Sequence, residues 1–201
     1  MGILIAIPIC AKQTGANLNP AISFSMTFKK TNIKSSYLTL LWIYVKAQIL
    51  AAVAAAFLSM ILNDVYLTPL HPPSASPIIF PQDEQSSIFM AITKILLSEA
   101  IGVFVLIFFI LYVTGPYSFI ETSGGKFFFI AIFVYVGRRF AVMSGNQVNF
   151  ALTIAQASIG IFECNFKGFQ YLIVWLIGDI VGVLLATGLY NHVTEPTLEY
   201  M

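Results

Sequence analysis

Three long apolar stretches dictate the solvent in which this chain folds. Tyr37 to Leu62, Ile88 to Val113 and Gly168 to Tyr190 are each long enough for a helix to cross hydrocarbon, which takes roughly 20 residues. Hydrophobic residues fill 58% of the 201 positions and charged residues 9%, whereas a soluble domain carries about 25% charged residues. No soluble core of this size could bury so much apolar side chain. The sequence therefore predicts an all-α, multi-pass integral membrane protein with the lipid bilayer as its first partner. A fourth apolar run, Phe127 to Val142, is shorter and is interrupted by Arg138 and Arg139.

Several function classes drop out. The formal net charge of +1 gives no argument for nucleic acid. Cys10 and Cys164 lie far apart in apolar surroundings, and His71 and His192 sit in a loop and in the tail, so neither a metal site nor a cofactor is expected. No nucleophile–base pair and no phosphate-binding loop is present, and an enzyme is not expected. Met1 to Ala11 is apolar but lacks the basic start of a signal peptide and is too short to span; it reads as the tail of a helix.

Lys29, Lys30 and Lys34 precede the first span. The loop from Asn63 to Ser87 holds five prolines, Asp64, Asp83 and Glu84, and no Lys or Arg. Prolines forbid a regular helix there. The positive-inside tendency puts the Lys cluster on the cytoplasmic-equivalent side and the Pro-rich loop opposite.

Two segments, Thr14 to Phe28 and Ser144 to Gly160, are neither clean spans nor clean loops. Each opens on a Gly-containing polar turn and continues as half-apolar, helix-compatible sequence. Aligned, Thr14-Gly15-Ala16-Asn17-Leu18-Asn19-Pro20-Ala21 matches Ser144-Gly145-Asn146-Gln147-Val148-Asn149-Phe150-Ala151, with Gly, Asn and Ala recurring 130 residues apart. So long a period with spans in between predicts two homologous halves. In each, Asn can cap a short helix, and Pro20 suits a first helical turn because its missing N–H would have no partner there.

The first box resembles the Asn-Pro-Ala box of the aquaporin and glycerol-facilitator family, and the second resembles that family's second box with Phe for Pro. Ser98-Glu99-Ala100-Ile101-Gly102 is similar to the family's Glu-bearing span. The resemblance covers the chain from Gly2 to about Val193 and implies one aquaporin-like domain over residues 1–201. Its first half is 1–62 with a re-entrant piece at 14–28, the Pro-rich loop is 63–87, the second half is 88–193 with a re-entrant piece at 144–160, and the tail is 194–201. Two half-helices would meet at mid-membrane with positive dipole ends on the pore. The amides of Asn19 and Asn149 would donate to a passing oxygen, while the positive potential opposes cations.

The chain departs from the family pattern at four places. The spanning helix expected before the first box has no counterpart, which implies a truncated gene, a misassigned start, or a partner that supplies it. Phe150 stands for Pro, where its ring could narrow the lumen. Leu152 stands for the Arg of the outer constriction, while Asn146 keeps a polar residue there. Arg138 and Arg139 fall near another constriction position and could replace the lost Arg or snorkel to headgroups. Glu99 is expected to hydrogen-bond loop carbonyls, Asp179 to face inward as a structural residue that could pair with Lys46 or a partner, Lys46 to snorkel, and the many Phe residues to be lipid-facing bulk.

The leading expectation is a passive pore for water or a small neutral solute. The rival is a non-conducting subunit of a larger membrane complex. Homotetramers, or a hetero-oligomeric assembly supplying the absent helix, are the expected partners. The plasma membrane and organelle membranes, the mitochondrial inner membrane included, are all compatible.

Overall fold

The computed structural model describes residues 2–29, 35–66, 88–145, 147–162, 169 and 171–200. Of the expectations above, Asn146, most of the Pro-rich loop, Lys30, Lys34, His71 and Cys164 lie outside the described residues. Those described are helical or in short turns, in the order α1 (Gly2–Thr14), α2 (Pro20–Phe28), α3 (Ser35–Tyr66), α4 (Ile88–Thr114), α5 (Ser123–Phe140), a 3₁₀ turn at Val142–Ser144, α6 (Phe150–Phe162) and α7 (Leu172–Leu189). A π-helical turn (Tyr190–Thr194) carries α7 into α8 (Glu195–Glu199). Helix is the expected answer in hydrocarbon, because it satisfies its own backbone groups without water.

Among the described residues, three helices are long and apolar enough to cross a membrane: Ser35–Leu62, Ile88–Thr114 and Leu172–Glu199. The chain is thus an all-helical protein of membrane character. Helix α3 runs on to Tyr66, so the expected loop does not begin at Asn63.

The core is built on α4. It packs along α7 and α5, and the fully buried Val103, Leu106, Ile107 and Leu111 face Val183, Ala186 and Tyr190. Lipid offers no hydrophobic drive for such packing, so close approach at small residues has to supply it. A Cβ on Gly182 would lie 2.6 Å from the Ala100 carbonyl, and one on Gly178 would lie 2.9 Å from the Glu99 Cβ. Across the other face of α4, Cβ atoms on Gly102 and Gly137 would lie 2.7 and 2.8 Å from each other's carbonyl oxygens. Part of the Phe content is packing rather than lipid-facing bulk. Phe109 stacks on Phe133 at 4.4 Å, and Phe104 and Phe108 lie against the core.

The two sides of the bundle are unequal. Only 11% of the α3 span is buried, against 56% of the α4 span and 39% of the last one. Helix α3 touches mainly the two short helices, α2 and α6. Where α2, α3, α6 and α7 converge, an apolar groove of about 460 Å³ opens beside Trp42, Phe28, Phe150 and Leu184.

The glycine contacts define a test. Gly182→Leu should push α7 off the α4 backbone and cost about 1–3 kcal/mol, as overpacking does, read as a lower thermal-unfolding midpoint in detergent. Gly188→Ala, whose added Cβ meets nothing within 4 Å, should leave the midpoint unchanged or raise it.

Candidate functional site

The site forms where the amino termini of α2 and α6 meet. Asn19 precedes α2 in extended conformation (φ −144°, ψ 127°), and its Oδ1 accepts the Ala21 N–H at 2.9 Å, with Pro20 in the first turn. Asn149 does the same for α6, accepting the Ala151 N–H at 3.1 Å. Each amide group then reaches across. Asn19 Nδ2 donates to the Val148 carbonyl at 2.7 Å, and Asn149 Nδ2 donates to the Leu18 carbonyl at 3.4 Å. Inside the helices, Ser23 and Thr153 repeat the correspondence, each donating N–H and hydroxyl to the carbonyl of its capping Asn.

The loops leading to the caps turn through left-handed backbone. Gly15 (φ 70°) and Gly145 (φ 96°) occupy it without cost, but Ala16 (φ 53°) and Val148 (φ 43°) do not. For a β-branched residue such as Val148 the conformation costs of order 1–3 kcal/mol and persists only where the surroundings impose it. They do so here from both sides. Glu99 accepts the Val148 N–H at 2.6 Å, and Asn19 donates to its carbonyl.

Glu99 is fully buried and also accepts from the Ser144 hydroxyl. The expectation that Glu99 bonds loop carbonyls is therefore corrected. A carboxylate accepts, so it takes the amide and the hydroxyl, and the carbonyls find other donors. Trp175 Nε1 donates to the Ser144 carbonyl at 2.9 Å, and Ser98 Oγ to the Phe140 carbonyl at 3.0 Å.

A cavity of about 80 Å³ lies at the junction, bordered by Asn19, Asn149, Arg138, Gln147, Leu152 and apolar side chains from α1, α2, α4 and α5. A water needs roughly 10–15 Å³ of such space, so several fit. Arg138 is exposed and borders the cavity, whereas Arg139 does not. Arg139 Nε donates to the Tyr135 hydroxyl at 3.0 Å, with its guanidinium 5.2 Å from the Tyr135 ring centroid. Leu152 borders the cavity, and Pro20, Ala21 and Phe150 border the apolar groove on the other side. Ala151 is buried within α6.

The expectation that Phe150 narrows the lumen is thus not met among the residues around this cavity. Gln147 was not singled out from sequence. It is buried, donates to the Gln156 Oε1 at 2.6 Å, and has an unpartnered Oε1. Its polar type beside the second box was the available signal.

Asp179 faces inward as expected and is buried, but Lys46 is not its partner. Lys46 is exposed, and Asp179 instead lies within hydrogen-bonding reach of the Glu99 carboxyl, with the Phe150 amide directed toward it in a geometry short of a proper bond. The offset of 130 residues makes this legible. Pro20 corresponds to Phe150, and Ile49 corresponds to Asp179, and all four border the same groove. Where the first helical residue is Pro, without an N–H, the residue at the corresponding position of the groove is apolar. Where it is Phe, with an N–H, the residue facing it is a carboxyl. An anion at a helix amino terminus is favourable by roughly 0.3–1 kcal/mol.

At the far end of α2, Asn191 Nδ2 donates to the Phe28 carbonyl at 3.2 Å, and Lys29 lies 4.8 Å from the Tyr190 ring centroid. Burial lowers the Lys29 pKa, and the Glu195 charge opposes that shift.

Two outcomes follow. Asn19→Ala removes a cap and strands the Val148 carbonyl, and should cost about 1–3 kcal/mol, measured by thermal unfolding. Phe150→Pro and Asp179→Ile should each destabilise. Together they should cost less than their sum by about 0.5–3 kcal/mol, because the double variant copies the Pro20 and Ile49 pairing at the start of α2. No protein-family model matches the chain, and no curated protein is similar enough to stand as a relative.

Proposed function

We propose that this chain is an aquaporin-like membrane channel that passes water or a small neutral solute, built as two inverted halves with α2 and α6 as re-entrant half-helices. The single observation that carries this reading is the reciprocal pair of cross-links, Asn19 to the Val148 carbonyl and Asn149 to the Leu18 carbonyl, at the border of a cavity. One N–H of each amide makes the cross-link, and each amide has two. The second N–H is the donor available to a passing oxygen.

Two helix amino termini and the Arg138 guanidinium contribute positive potential at this point, which disfavours cations and leaves neutral solutes. In this reading Arg138 takes the place of the constriction Arg that Leu152 lacks. Irregular backbone at bilayer depth is tolerated where it lines such a cavity.

A second reading rests on its own observation. The α3 span is 89% unburied, and two hollows flank that helix: the apolar groove, and a cleft of about 430 Å³ bordered by Tyr37, Tyr44, Lys29 and Glu195. A structural subunit of a larger membrane assembly would fill them with a partner. Homotetrameric packing around a conducting subunit is the competing arrangement.

Osmotic shrinkage of proteoliposomes separates the two. The wild type should exceed empty vesicles in water or glycerol permeability. Val134→Trp, which places a large ring at the cavity wall from α5, should return permeability to the empty-vesicle value. Wild-type vesicles no faster than empty ones, with intact folded protein inserted, would instead support the structural subunit.

A further inference from the structure

The pore reading leaves Asp179 without a task. It is 4% exposed, and neither carboxyl oxygen receives a hydrogen bond. An unpartnered carboxylate sealed inside a bundle is costly, and the group beside it is a second acid. Glu99, fully buried on α4, lies within hydrogen-bonding reach, and the α4–α7 contact is close because Gly178 brings the α7 backbone onto the Glu99 side chain. Ionised carboxylates only accept hydrogen bonds, so two of them in contact have nothing to exchange. One proton changes that: the protonated acid donates to its neighbour in a charge-assisted bond.

Among the described residues the only counter-charge that bears on the pair is Arg138, and it does so at longer range. From the 3₁₀ turn, the Ser144 hydroxyl donates to Glu99, and from the approach to α6 the Val148 N–H does the same. The Phe150 amide is directed at Asp179 from the start of α6. From α5, the Arg138 guanidinium bears on Glu99 at longer range and borders the cavity. From α7, Trp175 is engaged with the Ser144 carbonyl. On the groove side, α2 and α3 present Pro20, Ala21 and Ile49. A metal ion at the pair would find two carboxylates and no third acidic, His or Cys ligand among the described residues, where a hard cation takes six or more oxygens. A proton needs only the two oxygens.

We propose that Glu99 and Asp179 hold one proton between them, forming a latch that joins α4 to α7 beneath the amino terminus of α6. Glu99 also fixes Val148, and Val148 is held by Asn19, so the latch braces the junction of the two short helices. It is a positioning device and does not depend on whether the pore conducts.

The sign of its pH dependence follows from linkage. In the unfolded chain both carboxyls titrate at ordinary values, about 4, and are ionised at neutral pH. The folded state then binds one proton more than the unfolded state. Its stability therefore falls as pH rises through the point where the pair releases that proton.

The test uses the full chain in nanodiscs, with two readouts that do not involve permeability. Wild-type infrared spectra at neutral pH should contain a protonated-carboxyl carbonyl band that disappears in alkali, and the thermal midpoint should fall over the same range. Asp179→Asn supplies a permanent N–H donor to Glu99, so it should lose the band, keep the fold and flatten the pH slope. Asp179→Leu should lose the band and lower the midpoint at neutral pH. A wild type without the band at neutral pH, or a band that persists in Asp179→Asn, would overturn the proposal, and the first of these needs no variant to fold.

Discussion

The backbone of Val148 is the point on which the junction depends. A valine at φ 43° is unfavourable by itself, and it is held by a buried carboxylate on its N–H and a buried amide on its carbonyl. Those two partners come from α4 and from the cap of α2, which are remote in sequence from each other and from Val148. Because this one residue accepts both constraints, it sets the angle at which α6 leaves the junction and where Asn149 stands. The strain is local, and the hydrogen bonds that offset it are what tie the two ends of the chain together.

The two Asn-bearing loops solve the same problem unequally. Leu18, the counterpart of Val148, has no carboxylate on its N–H, which turns back to the Ala16 carbonyl at 2.9 Å. Nearby, Gln48 donates to Ser23 Oγ at 2.8 Å and to the Asn17 carbonyl. A neutral side chain on α3 thus braces the first loop, while α4, the 3₁₀ turn and Trp175 of α7 brace the second. The same imbalance shows in burial, with α4 enclosed by neighbours and α3 largely bare. Phe150 with Asp179, set against Pro20 with Ile49, puts a carboxyl on the next helix where one box gains a backbone N–H, although the geometry falls short of a proper bond.

Much of this was legible in the chain before any coordinates. The apolar runs located α3, α4 and α7 to within a few residues, because hydrocarbon thickness sets span length and composition reports it directly. The two Asn-containing boxes located the starts of α2 and α6, since capping is a local property of Asn and the residues just after it. Harder to read were contacts made across 30 to 130 residues. Nothing near Arg138 and Arg139 tells which of two adjacent guanidinium groups meets the cavity, because neighbours on a helix diverge by about 100° and only the packing of α5 chooses between them. That Asp179 faces inward was legible, but its neighbour was not, for the same reason: Lys46 offered the right charge, but its helix exposes it elsewhere.

The sequence by itself determined the medium, the helical class and the repeated caps, because hydropathy, backbone satisfaction in lipid and Asn capping all act over a few residues or a single helix. Only the tertiary structure decided which donors cross the junction, which arginine borders the cavity, that Phe150 faces the groove rather than the cavity, and that two acids meet. Each of those depends on how closely helices approach at Gly178, Gly182, Gly102 and Gly137, a distance set by side-chain volume on both partners at once and written in neither alone.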